Sequence, residues 1–177
     1  MRKLKNEELN RLSVDDFKTT EKLPVVLVLD DVRSAMNVGS AFRTSDAFLV
    51  NKICICGITA KPPHKEINKT ALGAQETVAW EYFETVEACV LQLRKDGYSI
   101  AAIEQADQSV SLLDFRITPD QRYAFVFGNE VFGVNEQVVE NADMVIEVPQ
   151  YGSKHSLNIS VTIGVILWDY VSKIQGV

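Results

Sequence analysis

Residues 25–29, with the sequence VVLVL, form a continuously apolar run rich in β-branched side chains. Such a run is typical of a strand that is buried on both faces, as in a parallel sheet. A helical pattern follows at residues 37–48, and residues 53–56 (ICIC) predict a second strand. The three segments together predict one β-α-β unit and favour a parallel sheet.

Strands and helices continue to alternate along the rest of the chain. Helices are predicted at residues 3–12, 68–73, 86–95, 135–141 and 157–173, and extended segments at 80–83, 99–103, 123–127 and 144–148. Five or six strands alternating with helices indicate an α/β fold, with a mostly parallel sheet flanked by helices. We expect residues 1–20 to be a short N-terminal helical extension and residues 21–177 to form one domain.

Length and composition place the chain among folded globular proteins. Its 177 residues suffice for one domain, and its contents of 46% hydrophobic and 24% charged residues are close to average. The first ten residues are too polar for a signal peptide, and the apolar runs are shorter than the roughly 20 residues that a bilayer requires. We therefore expect a cytoplasmic protein.

The three cysteines are expected to be buried thiols in such a compartment. Cys54 and Cys56 alternate within the second predicted strand and would share one of its faces, whereas Cys89 lies in a helical pattern. A C-x-C pair can bind a metal ion, but no histidine or second cysteine pair lies at a suitable spacing. No metal site is therefore expected.

The overall charge argues mildly against a nucleic-acid partner. The net charge is -6 and the isoelectric point is about 5.0, whereas phosphate contacts usually require a basic face. Two local clusters of basic residues differ from this acidic average charge. Their members are Arg2, Lys3, Lys5 and Arg11, and Lys52, Lys61, Lys65 and Lys69. Each cluster is either a phosphate-facing edge or a set of dispersed, solvated side chains.

Two common nucleotide-binding motifs are missing from the sequence. Neither G-x-G-x-x-G nor G-x-x-x-x-G-K-[ST] occurs, which disfavours ordinary dinucleotide binding and P-loop chemistry. The first strand instead leads into a segment with a single glycine, residues 30–39, DDVRSAMNVG.

The first polar motif is NVGSAFR at residues 37–43. Asn37 is a candidate helix cap, which would place Arg43 on the second turn with its guanidinium directed back over Gly39. Gly39 would then leave space for a ligand. The alternative is a capping asparagine followed by a solvated arginine.

The second polar motif is FGNE at residues 127–130, where a buried strand ends in a glycine, an amide and a carboxylate. Open α/β sheets bind ligands at the carboxyl ends of their strands, and Gly128 would permit close approach of the backbone to a ligand. The alternative is a plain turn that leaves Glu130 in water.

The third polar motif is SKHSLN at residues 153–158, immediately before the last predicted helix. Ser156 is placed to cap that helix, which would leave Leu157 and Asn158 in the first turn with free amides that can hold a polar ligand. His155 is either a base or an ordinary surface histidine.

Taken together and in this order, the three motifs resemble the signature motifs of the SPOUT superfamily, specifically the SpoU-type branch of RNA ribose 2'-O-methyltransferases. The resemblance covers residues 24–173 and depends on the set N-x-x-x-x-x-R, F-G-N-E and S-L-N. It implies a C-terminal deep trefoil knot in the α/β fold and S-adenosyl-L-methionine bound in that knot. It also implies a homodimer with the active site near the subunit interface.

The resemblance assigns roles to nine residues of this chain. The family's catalytic residues match Asn37, Arg43, Glu130, Ser156 and Asn158. The cofactor-binding positions match Glu104, Gly128, Val148 and Leu157.

The implied reaction is methyl transfer to a ribose 2'-hydroxyl, with tRNA as the first choice of substrate and rRNA as the second. Arg43 would act either as the general base or as an anchor for phosphate and the developing alkoxide. The anchor is favoured because a guanidinium rarely gives up its proton in a protein. The alternatives from other classes are a non-catalytic RNA-binding or assembly protein and a small-molecule enzyme.

Overall fold

A single parallel sheet of seven strands organises the protein, whose computed structural model describes residues 1–9 and 11–176. The strands are β1 (Leu23–Asp30), β2 (Val50–Cys56), β3 (Ala79–Phe83), β4 (Tyr98–Ile103), β5 (Val110–Ser111), β6 (Arg122–Phe127) and β7 (Met144–Glu147). Their order in the sheet is β3-β2-β1-β6-β4-β7-β5, and every pairing of neighbours is parallel. The predicted mostly parallel α/β sheet is confirmed.

Seven α-helices accompany the strands in the described residues. They are α1 (Val14–Thr19), α2 (Ala35–Ala47), α3 (Lys65–Ala71), α4 (Ala74–Thr77), α5 (Val86–Lys95), α6 (Glu136–Asn141) and α7 (Ile159–Gln175). A 3-10 turn at Asn6–Glu8 precedes them. No helix of the described chain is long and apolar enough to cross a bilayer.

The central strand β1 is buried on both faces, which explains its uninterrupted apolar sequence. Residues 25–29 are at most 1% exposed. Val25 and Leu27 pack into the cluster that also contains residues of α2 and α7. Val26 and Val28 pack into a second cluster with residues of α5. Alternate side chains of one strand therefore supply two separate cores, one on each side of the sheet.

The cysteines lie in the second of these cores. Cys54, Cys56 and Cys89 are all buried and none forms a disulfide. The predictions of buried thiols and of a shared face for Cys54 and Cys56 are confirmed.

The prediction at the N-terminus was wrong in its position. Within the described residues of the predicted helix at 3–12, which exclude residue 10, only the 3-10 turn forms, and the first α-helix begins at Val14. Ser13 caps it, because its hydroxyl oxygen accepts a hydrogen bond of 3.1 Å from the amide of Asp16. Phe17 then packs into the core. The division of the chain at residue 20 stays a prediction.

Two predicted helix caps were also wrong. Helix α2 begins at Ala35, and the hydroxyl of Ser34 rather than the side chain of Asn37 caps it. Helix α7 begins at Ile159, and its cap is Asn158 rather than Ser156. In both cases the true cap lies a few residues from the predicted one. The shift frees the Asn37 side chain for other contacts.

Gly39 does not provide space for a ligand, contrary to the prediction. A Cβ atom on Gly39 would lie 2.1 Å from Oγ1 of Thr70 and 2.4 Å from the carbonyl oxygen of Ile67. The Thr70 hydroxyl also donates a hydrogen bond of 2.9 Å to the carbonyl of Met36. The glycine therefore allows α2 and α3 to pack closely.

Candidate active site

A cavity of about 520 Å³ lies at the carboxyl ends of β4, β6 and β7. The loops that follow these three strands, at residues 103–105, 127–133 and 148–159, supply most of its lining. Crevices at this edge of an open α/β sheet commonly hold ligands, and the volume suits a small molecule. The sequence had predicted a site at this edge.

Most of the predicted site residues meet in this cavity. The four predicted cofactor-binding residues, Glu104, Gly128, Val148 and Leu157, all line it. Three of the five predicted catalytic residues line it as well, namely Glu130, Ser156 and Asn158. Asn37 is connected to the lining through hydrogen bonds, and Arg43 lies elsewhere.

The Glu130 carboxylate joins the second motif to the first. Its Oε2 accepts a hydrogen bond of 2.9 Å from the amide of Arg33, and its Oε1 accepts bonds of 3.1 Å from the amide of Ser34 and from Nδ2 of Asn37. These donors lie at the N-terminal end of α2, where a negative charge is stabilised. Glu130 is exposed, as the alternative of a plain turn with Glu130 in water required, but its carboxylate is also bound by three donors of the first motif.

Burial alone would raise the pKa of Glu130. Hydrogen bonds from the backbone amides of Arg33, Ser34 and Glu130 itself, and from the side chain of Asn37, outweigh burial and lower the pKa below its ordinary value. The carboxylate is consequently ionised at neutral pH. A fixed negative charge thus lies on the wall of the cavity.

Asn37 and Asn158 join the first motif to the third. Nδ2 of Asn158 donates a hydrogen bond of 3.3 Å to Oδ1 of Asn37, whose own Nδ2 is bound to Glu130. Oδ1 of Asn158 meanwhile accepts the amide of Ser160 at 2.8 Å and so caps α7. A continuous chain of side chains therefore runs from Glu130 through Asn37 to Asn158. Segments that are more than 90 residues apart in sequence are held in one arrangement.

Glu104 holds the loop that follows β6. Its Oε2 accepts the amide of Val134 at 3.1 Å, and its Oε1 accepts the amide of Gln105 at 2.8 Å. A Cβ atom on Gly128 would lie 2.0 Å from the carbonyl carbon of Gly133. The close approach that Gly128 permits is therefore an approach to the chain's own backbone, whereas the sequence had suggested a ligand.

Arg43 is not part of this cavity within one chain. It is exposed on α2 and does not line the cavity, and His155 is likewise exposed and absent from the lining. The position of His155 favours an ordinary surface histidine over a general base. Arg43 lies on one stripe of α2 with the exposed Met36 and Ala47 and the half-buried Ser40, which follow one another at helical spacing.

Two residues with clear roles in the site were missed. Nδ2 of Asn129 donates to the carbonyl of Asp31 at 2.8 Å, which ties the loop after β6 to the end of β1. Nε2 of Gln105 donates to the carbonyl of His155 at 2.9 Å, which ties the loop after β4 to the segment before α7. Asn129 lies inside the second motif and could have been found. Gln105 belongs to no motif.

Asp30 ends β1 as a buried carboxylic acid beside the site. It is 5% exposed, and its Oδ2 accepts the amide of Asn135 at 2.9 Å. Burial, together with the nearby carboxylates of Asp31 and Glu87, raises the pKa of Asp30 to about 6 against the lowering effect of Asn135. A raised pKa means that folding becomes less favourable as pH rises through 6, because the buried group must then ionise.

We therefore expect the substitution Asp30→Asn to stabilise the protein at pH 8, by on the order of 2 kcal/mol. An amide keeps an acceptor for Asn135 but carries no charge. The gain should shrink toward zero at pH 4, where the wild-type carboxyl is protonated in the fold. Urea unfolding at both pH values measures it, with the exposed Asp114→Asn as control. A variant less stable than wild type at pH 8 would contradict the assignment of a costly buried charge.

Comparison with known proteins agrees with this geometry. The sequence model of the SpoU rRNA Methylase family matches residues 24–168. The chain belongs to this family. The family predicted from the three motifs is confirmed.

Several SpoU relatives show the extent of the similarity. A tRNA (guanosine(18)-2'-O)-methyltransferase of Borreliella burgdorferi is 24% identical over 85% of this chain and 67% of its own length. A 23S rRNA (guanosine-2'-O-)-methyltransferase of Neisseria meningitidis is 28% identical over 89% of this chain and 62% of its own length. The chain thus spans about two thirds of the length of these curated relatives.

Solved structures give the same result for the SpoU fold. The TrmH/SpoU tRNA modifying enzyme of A. aeolicus superposes with a TM-score of 0.78 at 27% identity, covering 90% of this chain and 79% of that one. The AdoMet-bound rRNA methyltransferase of Sinorhizobium meliloti superposes with a TM-score of 0.77 at 24% identity, covering 90% and 60%.

Proposed function

We propose that this SpoU-family protein transfers a methyl group from S-adenosyl-L-methionine to a ribose 2'-hydroxyl of tRNA or rRNA. The observation that carries the proposal is the chain of hydrogen bonds from Glu130 through Asn37 to Asn158 at the wall of one cavity. It joins one polar side chain from each of the three motifs beside a space of the right size. The relatives named as tRNA and rRNA 2'-O-methyltransferases support the reaction class.

The cavity suits this cofactor chemically. Ile103, Val148 and Leu157 offer apolar surface for a nucleobase, and the carboxylates of Glu104 and Glu130 offer negative charge to a sulfonium. The backbone around Gly128, Val148 and Leu157 lines the same space, as expected for cofactor-binding positions. A similar protein has been solved with AdoMet bound, which supports the same cofactor here.

S-adenosyl-L-methionine, when bound, supplies an activated methyl group on a good leaving group. The residues of the chain then have to align the ribose hydroxyl and assist the loss of its proton. Asn158 orients the hydroxyl, Asn37 holds the side-chain amide of Asn158 and is itself held by Glu130, and Ser156 shapes the substrate side of the cavity. Arg43 anchors a phosphate and stabilises the developing alkoxide, and a phosphate oxygen of the RNA accepts the proton.

A homodimer would bring Arg43 to an active site. The stripe of α2 that carries Arg43 is exposed in one chain, and a neighbouring stripe of α7 exposes Val161 and Trp168. Phe48, at the end of α2, packs its ring against Trp168 with 6.4 Å between centroids. Exposed apolar side chains on two adjacent helices, here Met36 of α2 with Val161 and Trp168 of α7, are typical of a subunit interface. We propose that Arg43 serves the cavity of the partner subunit.

Transfer RNA remains the first choice of substrate and rRNA the second, as predicted from the sequence. Relatives named for both substrates match with similar identity, so the comparisons do not favour one over the other. The trefoil knot and the cytoplasmic location also stay predictions.

A transfer assay tests the proposal directly. The protein is incubated with S-adenosyl-L-methionine labelled in the methyl group, and with tRNA or rRNA from cells that lack the protein. We expect label in one of the two fractions, recovered after digestion as a 2'-O-methylated nucleoside by mass spectrometry. Tight cofactor binding with no transfer to either RNA would favour the non-catalytic RNA-binding alternative. Transfer to a small molecule instead would overturn the choice of substrate.

A further inference from the structure

Phe132 is an exposed aromatic side chain at the mouth of the cavity. The structure describes all eight phenylalanines of the chain, and Phe132 is the exposed one, with 85% of its surface open to solvent. It lines the cavity together with Glu130 and Asn158. The adjacent Val131 is also exposed and lines the same cavity, so the two side chains form an apolar patch at the rim of a polar site, as binding sites commonly do.

The backbone holds Phe132 in this position. Oδ1 of Asn129 accepts the amides of Val131 at 2.8 Å and of Phe132 at 3.2 Å. Asn129 and Gly133 also exchange two backbone hydrogen bonds of 2.9 Å each. The turn that carries the ring is therefore closed from both sides. The Phe132 ring is therefore exposed because a hydrogen-bonded turn holds it there.

The groups that share the cavity with the ring fit a nucleotide. The lining presents the polar side chains of Glu130, Gln150 and Asn158 next to the aromatic ring of Phe132. An aromatic ring beside such groups can hold a base by stacking while the polar groups hold its sugar.

Geometry also restricts which part of the RNA can lie against the ring. The 2'-hydroxyl that accepts the methyl group has to enter the cavity beside Glu130 and Asn158. Its base is attached to the adjacent carbon of the same sugar, so the base must leave through the mouth that Phe132 borders. Bases of single-stranded or splayed-out RNA commonly stack on such aromatic side chains.

We infer that Phe132 stacks on the nucleobase of the nucleotide whose ribose is methylated, and thereby contributes to recognition of the RNA. This inference rests on the proposed function. It assigns to Phe132 a contact with substrate that none of the three motifs predicts.

Steady-state kinetics with total tRNA and rRNA as methyl acceptors provide the test. Phe132→Ala should raise the KM for the accepted RNA roughly tenfold, because stacking on one base is lost. The kcat should stay within about twofold, since the ring contacts the base and not the reacting atoms. Cofactor affinity, measured by calorimetry, should not change. The variant should fold, because the ring is exposed.

Two further variants sharpen this experiment. Tyr151→Ala removes a ring that is 90% exposed but does not line the cavity, and it should leave the KM unchanged. Phe132→Trp should retain a low KM, and its additional fluorescence, relative to wild type, should be quenched by the RNA but not by the cofactor.

The outcomes separate this inference from the proposed function. Failure of the wild-type protein to methylate any RNA would reject the proposed function by itself. Normal methylation with an unchanged KM for Phe132→Ala, and no quenching in Phe132→Trp, would overturn the stacking inference alone. A loss of cofactor affinity in Phe132→Ala would place the ring against the cofactor and would also overturn it.

Discussion

The substitution Glu130→Gln should lower the kcat of methyl transfer on the order of 100-fold, because misplacement of aligned groups by about 1 Å has effects of this size. The carboxylate accepts hydrogen bonds from the amides of Arg33 and Ser34 and from Asn37. Glutamine keeps the size of the side chain but has one acceptor oxygen. Its NH2 group would face an amide that also donates.

The loss should reach Asn158 through Asn37. When Glu130 no longer fixes Nδ2 of Asn37, Oδ1 of the same amide is free to leave Nδ2 of Asn158. We therefore expect a lower kcat with a much smaller change in cofactor affinity, measured by single-turnover kinetics and calorimetry. The matched control is Glu140→Gln, an exposed residue that does not line the cavity. A kcat within about threefold of wild type would remove Glu130 from the catalytic arrangement.

The pKa of Glu130 adds a pH dependence to the same variant. Hydrogen bonds to the ionised form lower this pKa, so the carboxylate contributes stability at neutral pH that is lost as pH falls through the folded-state pKa. Glu130→Gln should therefore be less stable than wild type at pH 7, and the two proteins should approach equal stability in acid. A stability difference that is the same at all pH values would contradict the role assigned to the charge.

The sheet could be predicted from sequence because each strand carries its own local signal. Residues 25–29 are apolar without interruption, as a strand covered on both faces must be, and the strand β1 appears where that run predicts it. The strand β5 has two residues, Val110 and Ser111, and so carries no periodicity that a pattern could reveal.

The sequence predicted which residues form the site more accurately than it predicted the contacts between those residues. Asn37, Glu130 and Asn158 were found through their motifs, but their mutual hydrogen bonds span 93 and 121 residues of sequence and depend on the fold. The helix caps were misplaced because serine and asparagine both cap helices well, and Ser34 precedes Asn37 at the start of α2. Gly39 was misread because close helix packing and room for a ligand both require a residue without a side chain.

The position of Arg43 leads to the largest effect that we expect. Arg43→Ala should lower kcat on the order of 1,000-fold if the guanidinium stabilises the developing alkoxide, an effect of the size seen when one transition-state contact is removed. Arg43→Lys should recover little of this loss, since an ammonium cannot bind phosphate through two parallel hydrogen bonds. Full activity of Arg43→Lys across neutral pH would contradict the anchor role.

Mixing two inactive variants tests which subunit Arg43 serves. Arg43 is exposed and outside the cavity of its own chain, so we expect a site to combine Arg43 of one subunit with Glu130 of the other. Unfolding and refolding equal amounts of Arg43→Ala and Glu130→Ala together should produce mixed dimers, in which one of two sites carries both defects and the other none. Random pairing then restores about a quarter of wild-type activity. Sedimentation analysis establishes that the refolded proteins are dimers. If dimers form and no activity returns, each site has its own Arg43 and α2 must move to bring it to the cavity.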